Sequence, residues 1–502
     1  KSQVDVALQA KAITLADGNP RLLEWLDKIL QNSPQAEVNQ ILSQLEANPT
    51  ELREQVLAET LLKQINQPMQ EILRRGLIFE LPVPREALET IAADISHLNQ
   101  NINQAVALGL LEVSFDNSLR VPRILPLQLS EKAEALYPQA AQVLYRLWYV
   151  ETKISTEEQR LEIHRLALRA KEEKIAVEIA YRLTSDWNNS SRYREAVKTC
   201  QDTLEIVEDY RIIHNLARAE KNLGDVGNAL EHFQQALDTC PLDNEKEKAA
   251  IINNLGSFKG DRGEIKEAIT LLEQSLEITQ RIDYVPGQAA TLHQLGSLQA
   301  SQGKIKDAIA RYEQSLKLNV DIGNIQGTAT TLHCLANLKV SEGKIEEAIK
   351  LYQESLELNK GIGNIRGKAT TLHCLAVLKA NQGEIKEAIK LYQESLKITQ
   401  GIGDIQGTAT TLHNLADLIA NQGQVIEALP LYQQSLKITE HIGDVHTKAM
   451  TLGSLGYIAE QLGDFATAVE YLQQSLEILE RIKSPDAQPV RDMLARVRSK
   501  LL

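Results

Sequence analysis

The 502-residue chain is short of several things, and each shortage excludes something. Aromatic residues make up only 4%, and beyond about residue 207 no stretch alternates with period two, so strands are not expected there. The four cysteines, Cys200, Cys240, Cys334 and Cys374, show no C-x-x-C spacing and nothing like a disulfide framework. A reduced, cytoplasmic setting fits them. No apolar run reaches the length of a membrane span and no signal peptide precedes the first helix, so no membrane partner is expected. The chain has no G-x-x-x-x-G-K-[ST] phosphate loop and no G-x-S-x-G turn. Carboxylate pairs such as Glu346-Glu347 and Glu384-Glu387 stand beside lysines on faces expected to be solvated. The chain is therefore not expected to be an enzyme, and no metal site is expected. A formal net charge of -13 repels phosphate backbones, which makes nucleic acid a poor partner. Lys1 stands where an initiator methionine would, which suggests a piece of a longer polypeptide.

What is abundant is repetition. Glycines at 224, 263, 303, 343, 383, 423 and 463 are each followed five residues later by alanine, with successive spacings of 39, 40, 40, 40, 40 and 40. A fixed period of this size means stacked supersecondary units, each burying its apolar face on the next. In the unit 327–366, Ala329, Leu332, Leu335 and Ala336 form an apolar stripe at helical spacing that stops at Gly343. A second helix, with Ile345, Ala348, Ile349, Tyr352, Leu356 and Leu358 on its apolar face, runs to Gly361-Ile362-Gly363-Asn364. There Gly363 suits the left-handed terminal position and Asn364 can cap the next helix. The fold class is mostly α, built of helix hairpins. Over 287–446 the charge sums to only -1, so the acidity lies outside the central array.

These residues resemble the tetratricopeptide repeat (TPR) family. Its close helix contact between small residues matches Gly296, Ala336, Ala376, Ala416 and Gly456 against Ala308, Ala348, Ala388, Ala428 and Ala468. Its aromatic four positions later matches Tyr312, Tyr352, Tyr392 and Tyr432, with Leu472 a departure. Leucine replaces the motif tryptophan at 292, 332, 372, 412 and 452, and serine takes the third small position at 315, 355, 395, 435 and 475, as in the long-repeat, kinesin-light-chain-like branch. The resemblance implies a right-handed superhelical solenoid over 207–485, about seven repeats, closed by a capping helix at 486–502.

The N-terminal region differs. Residues 1–66 read as helices, with Asp17-Gly18-Asn19-Pro20 a turn opening one of them. Residues 67–130 read as helices followed by a hairpin, with strands expected at Leu111 to Phe115 and Leu119 to Val121 around an Asp116-Asn117-Ser118 turn. Residues 131–206 read as an irregular helical junction whose aromatics, Tyr137, Tyr145, Trp148, Tyr149, Tyr181 and Trp187, fill a core. Lid, winged helix and repeat sensor in this order resemble the C-terminal half of a STAND-type signal-transducing NTPase. By that resemblance Gly18, Asn19 and Pro20 match the G-x-P turn whose proline contacts the nucleotide base. Proline at Pro122 replaces a histidine that the family often carries there, which puts nucleotide sensing by that route in doubt. No cofactor is expected in this chain, and ATP or ADP would require an NTPase domain upstream.

The most specific candidate site is a histidine ladder, His293, His333, His373 and His413, spaced 40 apart. Thr330, His333, Cys334 and Asn337 form a polar stripe beside the apolar one. By resemblance this stripe lines the concave groove where a protein or peptide lies, and the list extends to Thr370, Cys374, Thr410, Asn414 and Asp417. The other reading is that each imidazole hydrogen-bonds a neighbouring repeat. The expected function is the regulatory and ligand-recognition portion of a STAND-type NTPase, with that domain as intramolecular partner. The alternatives are a free-standing TPR adaptor for complex assembly and a winged-helix transcription regulator with a TPR sensor.

Overall fold

The computed structural model describes residues 6–152, 154–190, 192–482 and 484–501; Lys1 and the rest of the first five residues of the expected lid lie outside the described residues. Twenty-six α-helices and one two-stranded sheet are found among the described residues. The chain divides into two units, Lys1–Pro241 and Leu242–Leu502.

In the first unit, helices Val6–Ala16, Pro20–Asn32, Gln35–Glu46 and Thr50–Gln64 come first. Asp17 and Gly18 take left-handed φ values of 46° and 77°, which reverses the chain and leaves Asn19 as a cap. The Asn19 side chain accepts from Leu22 N at 3.0 Å, and Pro20 occupies the first helical position, where its missing N–H costs nothing. Three further helices, Gln67–Gly76, Arg85–Ile91 and Leu98–Ala107, precede strands Glu112–Val113 and Leu119–Arg120, which pair antiparallel with Val113 opposite Leu119. An isolated bridge from Val83 to Leu119 supplies a third strand position. The strands are shorter than the expected 111–115 and 119–121. At the turn Ser114 N donates to Ser118 O at 2.9 Å, Asp116 accepts from Ser118 N, and Pro122 has no N–H with which to prolong the ladder.

One hydrophobic core runs from Ala12 to Ala219, taking in Trp25, Leu45, Ile72, Leu88, Ile102, Leu144, Trp148 and Trp187. Its helices beyond the wing are Ala133–Leu144, continued by a π-helical segment Tyr145–Glu151, then Glu157–Ala170, Glu173–Asn189, Tyr193–Leu204, Tyr210–Leu223 and Val226–Thr239. Trp25 Nε1 donates to Gly109 O at 2.9 Å, which fastens the second helix to the end of the winged-helix segment. The junction aromatics are part of the packing: Tyr137, Trp148 and Trp187 are buried, and Tyr145 stacks on Tyr149 with centroids 5.4 Å apart.

The second unit consists of six helix hairpins and a last helix. The hairpins are Glu245–Asp261 with Ile265–Arg281, Val285–Ser301 with Ile305–Asp321, Ile325–Ser341 with Ile345–Gly361, Ile365–Asn381 with Ile385–Gly401, Ile405–Asn421 with Val425–Ile442, and Val445–Gln461 with Phe465–Arg481. Left-handed glycines stop the helices; Gly343 has φ 74° and Gly363 φ 67°, and the Asn364 side chain then accepts from Gly367 N at 3.0 Å. Inside each hairpin the alanine of the second helix is fully buried, and where the facing residue is Gly296 an added Cβ would lie 3.0 Å from Tyr312. The recurrent serine has a specific task. Ser275, Ser315, Ser355, Ser395, Ser435 and Ser475 each donate to a first-helix carbonyl, those of Ala249, Ala289, Ala329, Ala369, Ala409 and Ala449, at 2.7–2.9 Å. At the end, helix Ala487–Leu501 covers the sixth hairpin with Val490, Leu494 and Val497, while Arg496 and Lys500 hold the buried Glu460 at 2.6 and 2.8 Å.

Candidate binding sites in the repeats and beside the lid

Position 9 of each first helix carries the ladder residue, and its surroundings repeat. His293, His333, His373 and His413 place Nδ1 3.3, 3.4, 3.1 and 3.2 Å from Thr331, Thr371, Thr411 and Thr451 Oγ1 of the next hairpin. Thr331, Thr371 and Thr451 already donate their hydroxyl protons to the carbonyls of Gly327, Gly367 and Thr447. Their oxygens can only accept, so Nδ1 carries the proton at His293, His333 and His413. Each ring also meets a tyrosine of its own hairpin, Tyr312, Tyr352, Tyr392 or Tyr432, with centroids 5.1–5.8 Å apart. Burial pushes the pKa of His293 and His373 down to about 4 and lowers that of His333; at His413 it outweighs the upward pull of Asp417. Through Nδ1 the imidazoles thus tie one repeat to the next, and His413 Nε2 also lies 3.3 Å from Asp417 Oδ2.

The remaining stripe residues divide by exposure. Thr330, Asn337 and Thr370 are exposed, and Cys334, Cys374, Thr410, Asn414 and Asp417 are half-buried. Asn337 and Asp417 accept from the hydroxyls of Tyr352 and Tyr432, and Asp417 also accepts from Ser454 at 3.0 Å. Asn414 Nδ2 donates to His373 Nε2 at 3.1 Å. Burial raises both cysteine thiols, so neither is an activated nucleophile. Three of the candidates, Thr370, His373 and Thr410, converge on a cleft of about 360 Å³ with Arg366, Ser395, Thr399, Asp404 and Gly407. One repeat earlier, Asn364 donates to Asn359 at 2.8 Å and the pair lies against Gly367. At the equivalent positions Thr399 is shorter than Asn359, and Thr399 and Asp404 lie against Gly407 at the cleft.

In the first unit, Pro20 lines a cleft of about 570 Å³ with Arg21, Trp25, Lys28, Gly109, Glu112 and Arg120. Gly18 and Asn19 do not line it. They shape the turn, and Asn19 Nδ2 donates to Glu54 at 3.2 Å. Arg21 pairs with Glu112 and Lys28 with Glu24, so the cleft holds charges of both signs. Arg123, after Pro122, donates to Phe79 O at 2.9 Å. On helix Leu98–Ala107, Asn99 and Asn103 accept from Arg85 at 2.9 and 2.7 Å, and Asn101 is buried and donates to the carbonyls of Ser96 and His97.

Among the described residues, no cluster of three His, Cys, Asp or Glu could hold a metal ion, and no helix is long and apolar enough to cross a membrane. Sequence reasoning missed Trp25 as the fastener of the lid and saw the repeat serines only as small residues. The regular 26-residue spacing from each serine to its acceptor alanine was a signal that could have been read.

Residues 212–401 match the MalT-like TPR region and residues 407–481 match the tetratricopeptide repeat. The repeats of this chain are therefore tetratricopeptide repeats. No curated protein matches the chain. Among solved structures it is similar to a signal-transduction ATPase with numerous domains (STAND) that has a tetratricopeptide-repeat sensor, from Pyrococcus horikoshii, at 15% identity and a TM-score of 0.63, over 97% of this chain and 71% of that one. That likeness shows the fold. A kinesin-light-chain-like protein from Podospora anserina with nearly identical TPR-like repeats aligns at 21% identity over 38% of this chain and 95% of that one, with a TM-score of 0.33. A Rap protein crystallised with competence and sporulation factor aligns at 13% identity over 66% of this chain and 99% of that one, with a TM-score of 0.44.

Proposed function

We propose that this chain is the sensing and regulatory portion of a STAND-type NTPase, that it captures a protein or peptide on the first-helix stripe of its repeats, and that it performs no chemistry itself. The observation that carries the reading is the order of parts: a four-helix lid and a winged helix fused in one core, followed by a tetratricopeptide array. Repeat arrays offer an extended surface for other chains. The cleft at Thr370, His373 and Thr410 takes a side chain or a bend of the ligand. Because each imidazole is committed to the next repeat, recognition falls to the exposed Thr330, Asn337 and Thr370 and to the rim of that cleft. With few net charges on 287–446, binding should depend only mildly on salt. Pro20 presents an apolar face beside Arg21, Lys28 and Arg120, chemistry suited to a nucleotide held by an upstream domain. The setting proposed is the cytoplasm, with no nucleic-acid or membrane partner.

The coding sequence upstream of Lys1 separates this reading from the adaptor alternative. A phosphate loop there supports it, and a start codon at that point removes the NTPase. The groove is tested by selecting peptides from a display library on the full chain. Thr370→Arg should weaken them at least about tenfold while Gln382→Arg, on an exposed turn, leaves them unchanged. Equal binding by both variants would move the ligand elsewhere.

A further inference from the structure

The two edges of the second unit have different chemistry. Turns inside the hairpins, at 302–305, 342–345, 382–385 and 422–425, are Gln-Gly-Lys-Ile, Glu-Gly-Lys-Ile, Gln-Gly-Glu-Ile and Gln-Gly-Gln-Val, and the single aliphatic side chain of each packs against the core of the array. Turns between hairpins, at 322–325, 362–365, 402–405 and 442–445, are Ile-Gly-Asn-Ile twice, Ile-Gly-Asp-Ile and Ile-Gly-Asp-Val. The eight aliphatic side chains of those four turns are 36–53% exposed. Helix termini need the glycine and the Asn or Asp cap that lie between them, but nothing in a helix stop demands two solvent-facing isoleucines.

We propose that this aliphatic edge is the contact surface for a second copy of the chain, the two copies joining antiparallel about a two-fold axis between the turns at 362–365 and 402–405. Three observations support it. The first is area: the eight side chains expose on the order of 600 Å², at or above the largest apolar patch of an ordinary monomer and near the ~800 Å² per partner of a stable interface. The second is geometry. The turns recur at equal steps of 40 residues, so reversing one copy matches every turn with a turn of the other, which is the self-complementarity an isologous contact needs. The third is charge. Around 362–365 stand Lys360, Arg366 and Lys368, two of them paired within the chain, Lys360 with Glu357 and Lys368 with Glu394, whereas around 402–405 stand Gln400, Asp404, Gln406 and Thr408. An axis through 362–365 itself would oppose like cations. The axis between the two central turns keeps these cations apart and also uses all eight aliphatic side chains. The outer turns carry one net negative charge each, Asp321 on one and Glu440, Asp444 and Lys448 on the other, so the pairing gains nothing from charge at its ends.

Sedimentation velocity on the full chain from about 1 to 100 μM tests the pairing. A concentration-dependent dimer is expected. Ile365→Asp with Ile405→Asp should weaken it at least about 100-fold without changing the circular dichroism, because both residues are the first of their helices, where a carboxylate suits the helix dipole. Should that variant fold poorly, Arg366→Glu leaves the aliphatic edge intact, removes a central cation and is expected to weaken the dimer about tenfold; Gln382→Glu on the polar edge should have no effect. A wild-type monomer at 100 μM overturns the proposal, as does a dimer that both edge variants leave unchanged.

Discussion

The two units are held together in opposite ways. Between residues 6 and 241 the decisive contacts occur once each: Trp25 Nε1 reaches Gly109 O across 84 positions, and Arg165 reaches Ile78 O across 87. Between 242 and 501 a small set of contacts recurs in register: serine to alanine carbonyl across 26 positions and histidine to threonine across 38. A core made of unique, distant contacts stands or falls together, whereas a stack of nearest-neighbour contacts comes apart locally. The difference teaches that cooperativity here follows from how far along the chain each contact reaches, since both units are made of helices.

The sharpest way to break this comparison is in the first unit. Trp25→Ala removes a fully buried ring and its hydrogen bond and should cost about 3–5 kcal/mol, with hydrogen-exchange protection lost together from the lid to about Ala219. Loss confined to residues 6–64 would show that the lid folds separately. The next effect is pH. The neutral ring of His293 or His373 is favoured by the fold, whose pKa of about 4 lies below the ordinary 6.5. Stability is therefore complete above pH 6.5 and falls as pH drops toward 4, by up to about 1.4 kcal/mol per pH unit for each histidine. In His293→Asn with His373→Asn the repeats should keep their ties, as Asn253 does with Thr291 at 2.9 Å. The repeats of the double variant should then resist acid better than wild type, while acid loss of the first unit, where His164 and His214 are pushed down to about 4 and about 3, continues. Urea melts followed by hydrogen exchange at pH 7 and pH 4.5 would distinguish the two units.

Ala388→Phe should cost about 1–3 kcal/mol by overpacking, with protection lost around residues 365–421 and kept in the first unit. Loss across every repeat would mean that the array unfolds as one. The smallest effect is that of Ser355→Ala, about 1 kcal/mol for one buried hydrogen bond. Ser315→Ala and Ser395→Ala should match it closely in thermal melts, because their acceptors are equivalent.

The same contrast decides what could be read from the sequence. Gly343, Gly363 and Asn364 announce their turns through local backbone chemistry, and the period of 40 carries Ala348, Tyr352 and Ser355 into register without any knowledge of tertiary structure. The hairpin was legible from its Asp116-Asn117-Ser118 turn, although its strands were shorter than alternation implied because the turn and Pro122 curtail the ladder. Trp25 and Gly109 were not legible as partners, since neither residue type nor spacing marks a contact made once. The histidines were a halfway case. Their recurrence signalled a role, but duplication copies used and unused residues alike, and only the position of the Thr331 hydroxyl, already spent on Gly327 O, assigns the Nδ1 proton. The narrow cleft at Thr370 is bounded by Thr399, at a position that alternates between Asn (Asn319, Asn359) and Thr (Thr279, Thr399, Thr439), a variation that the period of 40 does not announce.

The histidine ties all run the same way, each ring donating toward the C-terminus to a hydroxyl that the next hairpin supplies. Every hairpin thus presents the same socket behind and the same plug ahead. Excising residues 365–404 would set His333 against Thr411 instead of Thr371, and no donor or acceptor would be left without a counterpart. The ladder ends where Gly453 supplies no side chain and helix Ala487–Leu501 begins to cover the stack. The length of the array is therefore a variable that inheritance can adjust in steps of 40 residues without redesigning a single joint, while any similar cut through the first unit would strand contacts that exist nowhere else.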